Sequence, residues 1–224
     1  MEGNVIQEKT FSTNFFAKVF IWMFMGLFAT GLTAWVTYAT GALETLLFNA
    51  GFSIILIVEL VVVIVFSLFF RKLSPLLASI LFFIYSVVNG VTFASIFYVF
   101  ELNSIILLFF AAAAIFGITA AYGMITKNDL SKIWPVLFIT LIIGLIVSIV
   151  NLFIGNTLLD VIIDWVILLV FFGITAYDMQ KIKNLAQAGN DLTEKAHIYG
   201  AMELYLDFIN IFLRLLSIFG KRRN

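Results

Sequence analysis

The sequence predicts an all-α integral membrane protein with seven transmembrane helices, on three observations. Hydrophobic residues fill 63% of the 224 positions and charged residues only 12%, about half the share usual in soluble domains, so no soluble fold could hide the apolar surface. The apolar residues fall into seven stretches, 15–38, 48–70, 76–100, 105–125, 133–154, 158–177 and 198–219, each near the roughly 20 residues that cross hydrocarbon as a helix. The gaps between them are short, and none has room for a soluble domain.

Each segment has its own boundary signals. The first is too long, and its flank too weakly basic, for a cleaved signal peptide, so it stays in the mature protein and ends at Gly41. The second carries one charge, Glu59, halfway along, and is followed by Arg71-Lys72 and the Ser74-Pro75 pair. In the third, Asn89 and Gly90 mark a polar contact or a close approach, and Asn103 marks the turn that follows. The fourth holds Ala111 to Ala114 and the string Phe116-Gly117-Ile118-Thr119-Ala120, which recurs as Phe172-Gly173-Ile174-Thr175-Ala176 in the sixth. Small residues there permit close helix packing. The fifth ends at Gly155. Asp160 and Asp164, near the start of the sixth, read as solvated interfacial acids or as an acidic mouth that attracts cations. The polar stretch 179–197 reads as a helical extension of the sixth segment that turns at Gly189-Asn190, with His197 in the loop before the last segment.

Charge placement sets the expected orientation. With the N-terminus in the cytoplasm, Lys9, Lys18, Arg71, Lys72, Lys127, Lys132, Lys181, Lys183 and Lys195 fall on the cytoplasmic side and the three opposite loops carry no cation. Seven crossings leave Lys221, Arg222 and Arg223 on the far side, against the same rule, unless the last segment dips in and returns. Its length and lack of an internal turn residue favour a full crossing. The absence of cysteine excludes disulfides, thiolate metal sites and a cysteine nucleophile. Zero net charge, with no basic patch outside the bilayer, gives no hint of nucleic-acid binding, and no nucleic-acid partner is expected. No cofactor is expected.

The last segment carries a polar stripe. Glu203, Asp207, Asn210 and Arg214, spaced four, three and four, share one narrow helical face, with Tyr199 and Ser217 at its edges. Such a face cannot meet lipid, so this helix is expected at the centre of the bundle with six others around it. The stripe is either a structural seam that fixes packing or a functional site. Asp178 ends the sixth segment, and Asp207 lies about 14 Å into the seventh, a depth that a continuing sixth helix can match. Touching carboxylates share a proton, since their mutual repulsion at 4 Å is about 4 kcal/mol at an effective dielectric of 20. They then titrate as a pair and sense pH. Arg71 lies on the same side as a countercharge that one aspartate holds in only one state. Glu59, near the midplane, is either an ion-pair partner of Arg214 or a site for a hard cation.

Two strings carry a resemblance. Gly173-Ile174-Thr175-Ala176-Tyr177-Asp178 with Met179-Gln180-Lys181-Ile182, and Leu204-Tyr205-Leu206-Asp207-Phe208-Ile209-Asn210, resemble the Bax inhibitor-1 family, and the seven-segment layout extends the likeness over essentially the whole chain. The resemblance implies two three-helix layers around a central C-terminal helix, and a pH-sensitive calcium leak channel in which calcium is permeant ion rather than cofactor. It implies that Asp178 and Asp207 form the pH-sensing pair, that Arg71 latches onto it and that Glu59 lines the ion path, with the metal-binding residues otherwise undefined and calcium passing Glu59, Asp178 and Asp207. The partners are then lipid, calcium ions and protons. The cell-death role of eukaryotic members is not carried over, because nothing in the chain points to such a partner. Short loops suggest a bacterial cytoplasmic membrane. Two alternatives compete with the channel: a non-conducting scaffold that modulates a membrane protease, and an intramembrane aspartyl protease. The second lacks its motif, since Tyr205 and Leu206 precede Asp207 where that family has Gly-x-Gly. The expected protein is therefore not an enzyme.

Overall fold

The computed structural model describes residues 2–48, 54–55, 57–58, 61–62, 64–65, 72–187 and 193–223, with side chains from Asn14 onward except at 48, 193 and 194. Its helices are α1 (Glu2–Ala39), α2 (Ala42–Phe48), α3 (Pro75–Phe93), α4 (Ile96–Val99), α5 (Leu102–Ile125), α6 (Trp134–Ile154), α7 (Thr157–Gln187) and α8 (Thr193–Phe219), with a 3-10 turn at Leu130–Lys132. Among the described residues the extended pairing is one isolated antiparallel bridge between Phe100 and Arg222. Five stretches are long and apolar enough to cross a membrane: Asn14–Ala39, Pro75–Val99, Leu102–Ile125, Trp134–Ile154 and Thr157–Gln187. Their outward surface is oily, with Ile125 75%, Leu152 81% and Phe153 87% exposed, a surface that only lipid accommodates. Most of the expected second segment, including Glu59 and Arg71, lies outside the described residues, and those described between 54 and 65 are helical. The seventh segment lies within α8, whose 27 residues suffice for a crossing even though its ionisable stripe lowers its apolarity.

Two compact units divide the chain, one of Met1–Val99, Leu185–Tyr205 and Arg223, the other of Phe100–Asn184, Leu206–Arg222 and Asn224. In the first, Ser74 caps α3 by accepting from the Leu77 amide at 3.3 Å, with Pro75 in the first helical turn where no amide proton is required. The expected continuous segment 76–100 is broken at Ala94-Ser95, where α3 gives way to α4. Close packing of α1 on α3 depends on Gly90, where a Cβ would lie 2.6 Å from the Thr30 carbonyl oxygen. Beside it, Asn89 donates to the Tyr205 hydroxyl at 2.8 Å, and that hydroxyl lies 2.7 Å from the Thr30 hydroxyl. Thr30 in turn donates toward the carbonyls of Ser86 and Gly26, so a buried polar node joins α1, α3 and α8.

The same unit also holds Lys195 and Arg223, on either side of the last segment. Lys195 donates to the Leu73 carbonyl at 3.0 Å, just before α3, whereas Arg223 bonds the Val99 carbonyl and the Tyr38 hydroxyl, each at 2.8 Å, beyond the far end of α3. Between those two points α8 is one unbroken helix, Thr193–Phe219. His197 is helical and packs against Trp22 at 6.1 Å between ring centroids, so the expectation of a loop there is corrected: α8 begins at Thr193.

In the second unit α6 and α7 form an antiparallel hairpin about Gly155, whose φ of 70° is left-handed and suits glycine. Contacts of Gly144 with Ile167, Leu137 with Gly173 and Trp134 with Tyr177 hold one register along it. The end of α5 crosses α7 so closely that a Cβ on Gly123 would lie 2.1 Å from the Ala176 carbonyl oxygen. Phe109 and Phe116 pack edge-on against Phe208 of α8. Asn103 belongs to the first turn of α5, and the turn expected there falls at Phe100-Glu101, where Glu101 pairs with Lys221 at 2.8 Å. The repeated pentapeptides play different parts: Gly117 faces open space and Gly173 packs on Leu137.

Candidate functional site: a polar seam between the last two helices

Helix α7 does not stop at the membrane-spanning stretch; it continues through Asp178 to Gln187, as the polar extension leads one to expect. Several groups hold the segment around Asp178. Trp134 stacks on Tyr177 at 4.8 Å, and the Gln180 side chain accepts from the Leu130 amide at 2.9 Å while donating to the Asn128 carbonyl at 2.8 Å. Lys183 donates to the Met124 carbonyl at 2.8 Å. The loop from α5 to α6 is thereby fastened to α7 just past Asp178. Within that loop, Asp129 accepts from the side chain and backbone of Ser131, which hold its carboxyl below its ordinary value of 3.8. A depressed carboxylate contributes stability that is present above its unfolded value and is lost as pH falls through the folded one. Asp129 therefore stays ionised at neutral pH and plays no part in sensing there.

Asp178 and Asp207 are 6% and 3% exposed, and both lie within the second unit. Toward the far end of the α7–α8 contact, Arg214 bonds Asp164 at 2.5 Å, Ser217 bonds the other Asp164 oxygen, and Trp165 meets Phe219 edge-on at 5.6 Å. Helical periodicity carries this contact back along both chains. Asp178, fourteen residues from Asp164, falls within about 40° of the same face, and Asp207, seven residues from Arg214, within about 20°. Counted from Trp165 and Phe219, the two aspartates lie about 20 Å and about 18 Å along antiparallel helices. By ideal-helix spacing alone, the two come to similar heights on these faces.

The rest of the stripe divides. Asn210 donates to the Leu206 carbonyl of its own helix at 2.8 Å, and Glu203 is half-buried on the same face. From 195 to 216 no residue of α8 is exposed, which accounts for a polar stripe surviving in an otherwise apolar helix. Asp164 corrects the reading of solvated acids. It is 8% exposed and neutralised by Arg214, because the two sit at similar depths on adjacent antiparallel helices. Asp160 accepts from Asn151 at 2.5 Å. Among the described residues no three histidines or carboxylates gather as metal ligands.

A family model described as Inhibitor of apoptosis-promoting Bax1 matches residues 12–224. The chain belongs to the Bax inhibitor-1 family. Its Bax inhibitor-1 relatives include the Inner membrane protein YbhL of Escherichia coli (strain K12), 39% identical over 226 residues that cover 98% of this chain and 97% of that protein. A Deinococcus radiodurans protein is 37% identical over 96% of this chain and 95% of its own length, and protein RP147 of Rickettsia prowazekii is 34% identical over 97% and 95%. This Bax inhibitor-1 family chain is an integral membrane protein, by its family and by its five apolar spans. Sequence reasoning missed the Asp164–Arg214 pair and the Tyr205 node. The first was findable: opposite charges stood seven residues from the start of α7 and five from the end of α8, ends that an antiparallel pair brings to one level. The second had a signal in Asn89, but nothing marked Thr30 or Tyr205 as its partners.

Proposed function

We propose that the protein is a pH-sensitive calcium leak channel in which protonation of Asp178 and Asp207 gates passage along the α7–α8 seam. The observation that carries this reading is the burial of both carboxylates, each more than nine-tenths, on facing helices of a membrane protein. Intramembrane acids are costly and mark ion or proton pathways. Two that face one seam titrate together, so one proton changes both the charge of the seam and the repulsion across it. Family membership supports the reading, and from the resemblance come Arg71 as latch countercharge and Glu59 in the ion path. No enzymatic step is part of it. The printed name of the Escherichia coli relative and the distribution of lysines support a bacterial cytoplasmic membrane with the N-terminus in the cytoplasm.

Calcium flux into liposomes holding the purified protein, measured across a pH series, tests it. Asp178→Asn and Asp207→Asn should each flatten the pH dependence, and Glu59→Gln should lower flux with the pH response intact. A full pH response in both aspartate variants removes the sensor. Liposomes that never leak calcium favour the scaffold instead.

A further inference from the structure

The Asp164–Arg214–Ser217 cluster lies on the same seam as the two buried aspartates, displaced toward its other end. It sits about 8 to 10 Å in from the end of α8 and the start of α7. Asp164 is almost entirely covered, with 11% of its side chain exposed, whereas the Arg214 side chain keeps 31%. Among the described residues the guanidinium is anchored through one nitrogen, and its buried Nε has no hydrogen-bond partner. A structural bridge in lipid is expected to satisfy all of these donors, commonly through a two-pronged contact. Here the arginine is tethered at one corner and partly open, on the helix pair that also carries Asp178 and Asp207.

We infer that Arg214 is a fixed positive barrier on the α7–α8 seam, restrained by Asp164 and Ser217, that sets how readily divalent cations cross. The inference rests on the calcium-leak reading. A cation moving along the seam meets the guanidinium as a like charge, and the repulsion doubles for a divalent ion relative to a monovalent one. Asp164 lowers the barrier by partial neutralisation. Removing the arginine exposes Asp164 as an attractive carboxylate, and removing the aspartate leaves the positive charge uncompensated. The two variants therefore shift calcium flux in opposite directions, which a purely structural ion pair does not do.

The test compares calcium and potassium flux in liposomes for the wild type, Arg214→Gln, Asp164→Asn and the double variant, each checked for folding by thermal melting. Arg214→Gln should raise calcium flux by about tenfold, the low end of electrostatic focusing in charged clefts, with a smaller rise for potassium. Asp164→Asn should lower calcium flux, with the double variant between the two. Should Asp164→Asn fail to fold, Arg214→Gln must still conduct calcium better than the double variant, since they differ only in the charge at 164. Equal losses in both single variants, or an unchanged ratio of calcium to potassium, overturn the barrier while the leak stands. A wild type that passes no calcium overturns the leak reading and the barrier with it.

Discussion

Tyr205 shows how one side chain can decide the setting of a helix. Its hydroxyl accepts from Asn89 and donates to Thr30, while its ring packs edge-on against Phe82 at 5.7 Å and Tyr85 at 5.9 Å. Two residues on, and about 200° around the helix, stands Asp207. Tyr205→Phe should lower stability by about 1 kcal/mol, since hydrogen bonds between membrane helices average about 0.6 and reach about 1.7. Tyr205→Ala also loses the ring and should cost about 3–5 kcal/mol. Thermal melting in detergent checks both, and a Phe variant as damaged as the Ala variant would place the importance in the hydroxyl alone. The sequence advertised Asn89 as a polar contact, yet a lone amide in an apolar segment does not name its partner, which here stands 116 positions away.

At the scale of the element, two glycines of α5 make opposite predictions. Gly123 has the Ala176 backbone against it, so a methyl there must push α5 and α7 apart. Gly117 has nothing within 4 Å. Gly123→Ala should destabilise by about 1–3 kcal/mol or more through overpacking, and Gly117→Ala should be neutral or stabilising by up to about 1 kcal/mol through helix propensity. Melting curves for the pair decide it, and equal effects would mean that the α5–α7 crossing is looser than described. Helix extents were largely readable, since the Ser74-Pro75 start and the Gly155 stop act through local geometry. The break at Ala94-Ser95 was not, because neither residue is a strong helix breaker. The extension of α7 to Gln187 was readable from composition, and its fastening to the α5–α6 loop by Gln180 was not, because that contact joins residues about fifty apart.

For the molecule as a whole, seven crossings and the placement of cations predict a topology that labelling can read. The chain contains no cysteine, so a single introduced thiol reports its own side of the membrane. Arg222→Cys should react with a membrane-impermeant maleimide added to intact cells, whereas Lys127→Cys should react only after permeabilisation. The reverse pattern would invert the orientation. Of the C-terminal cations, Lys221 is paired with Glu101 and Arg223 is bonded to Tyr38.

The sequence by itself determined the membrane class, the spans and the residues that cannot face lipid, because the transfer of each side chain from water to hydrocarbon is a local property summed over about 20 neighbours. Only the tertiary structure decided which polar groups answer one another: that Arg214 holds Asp164, and that Asn89 and Thr30 hold Tyr205. Those outcomes depend on depth and azimuth shared between helices far apart in the chain, and no local pattern contains that information.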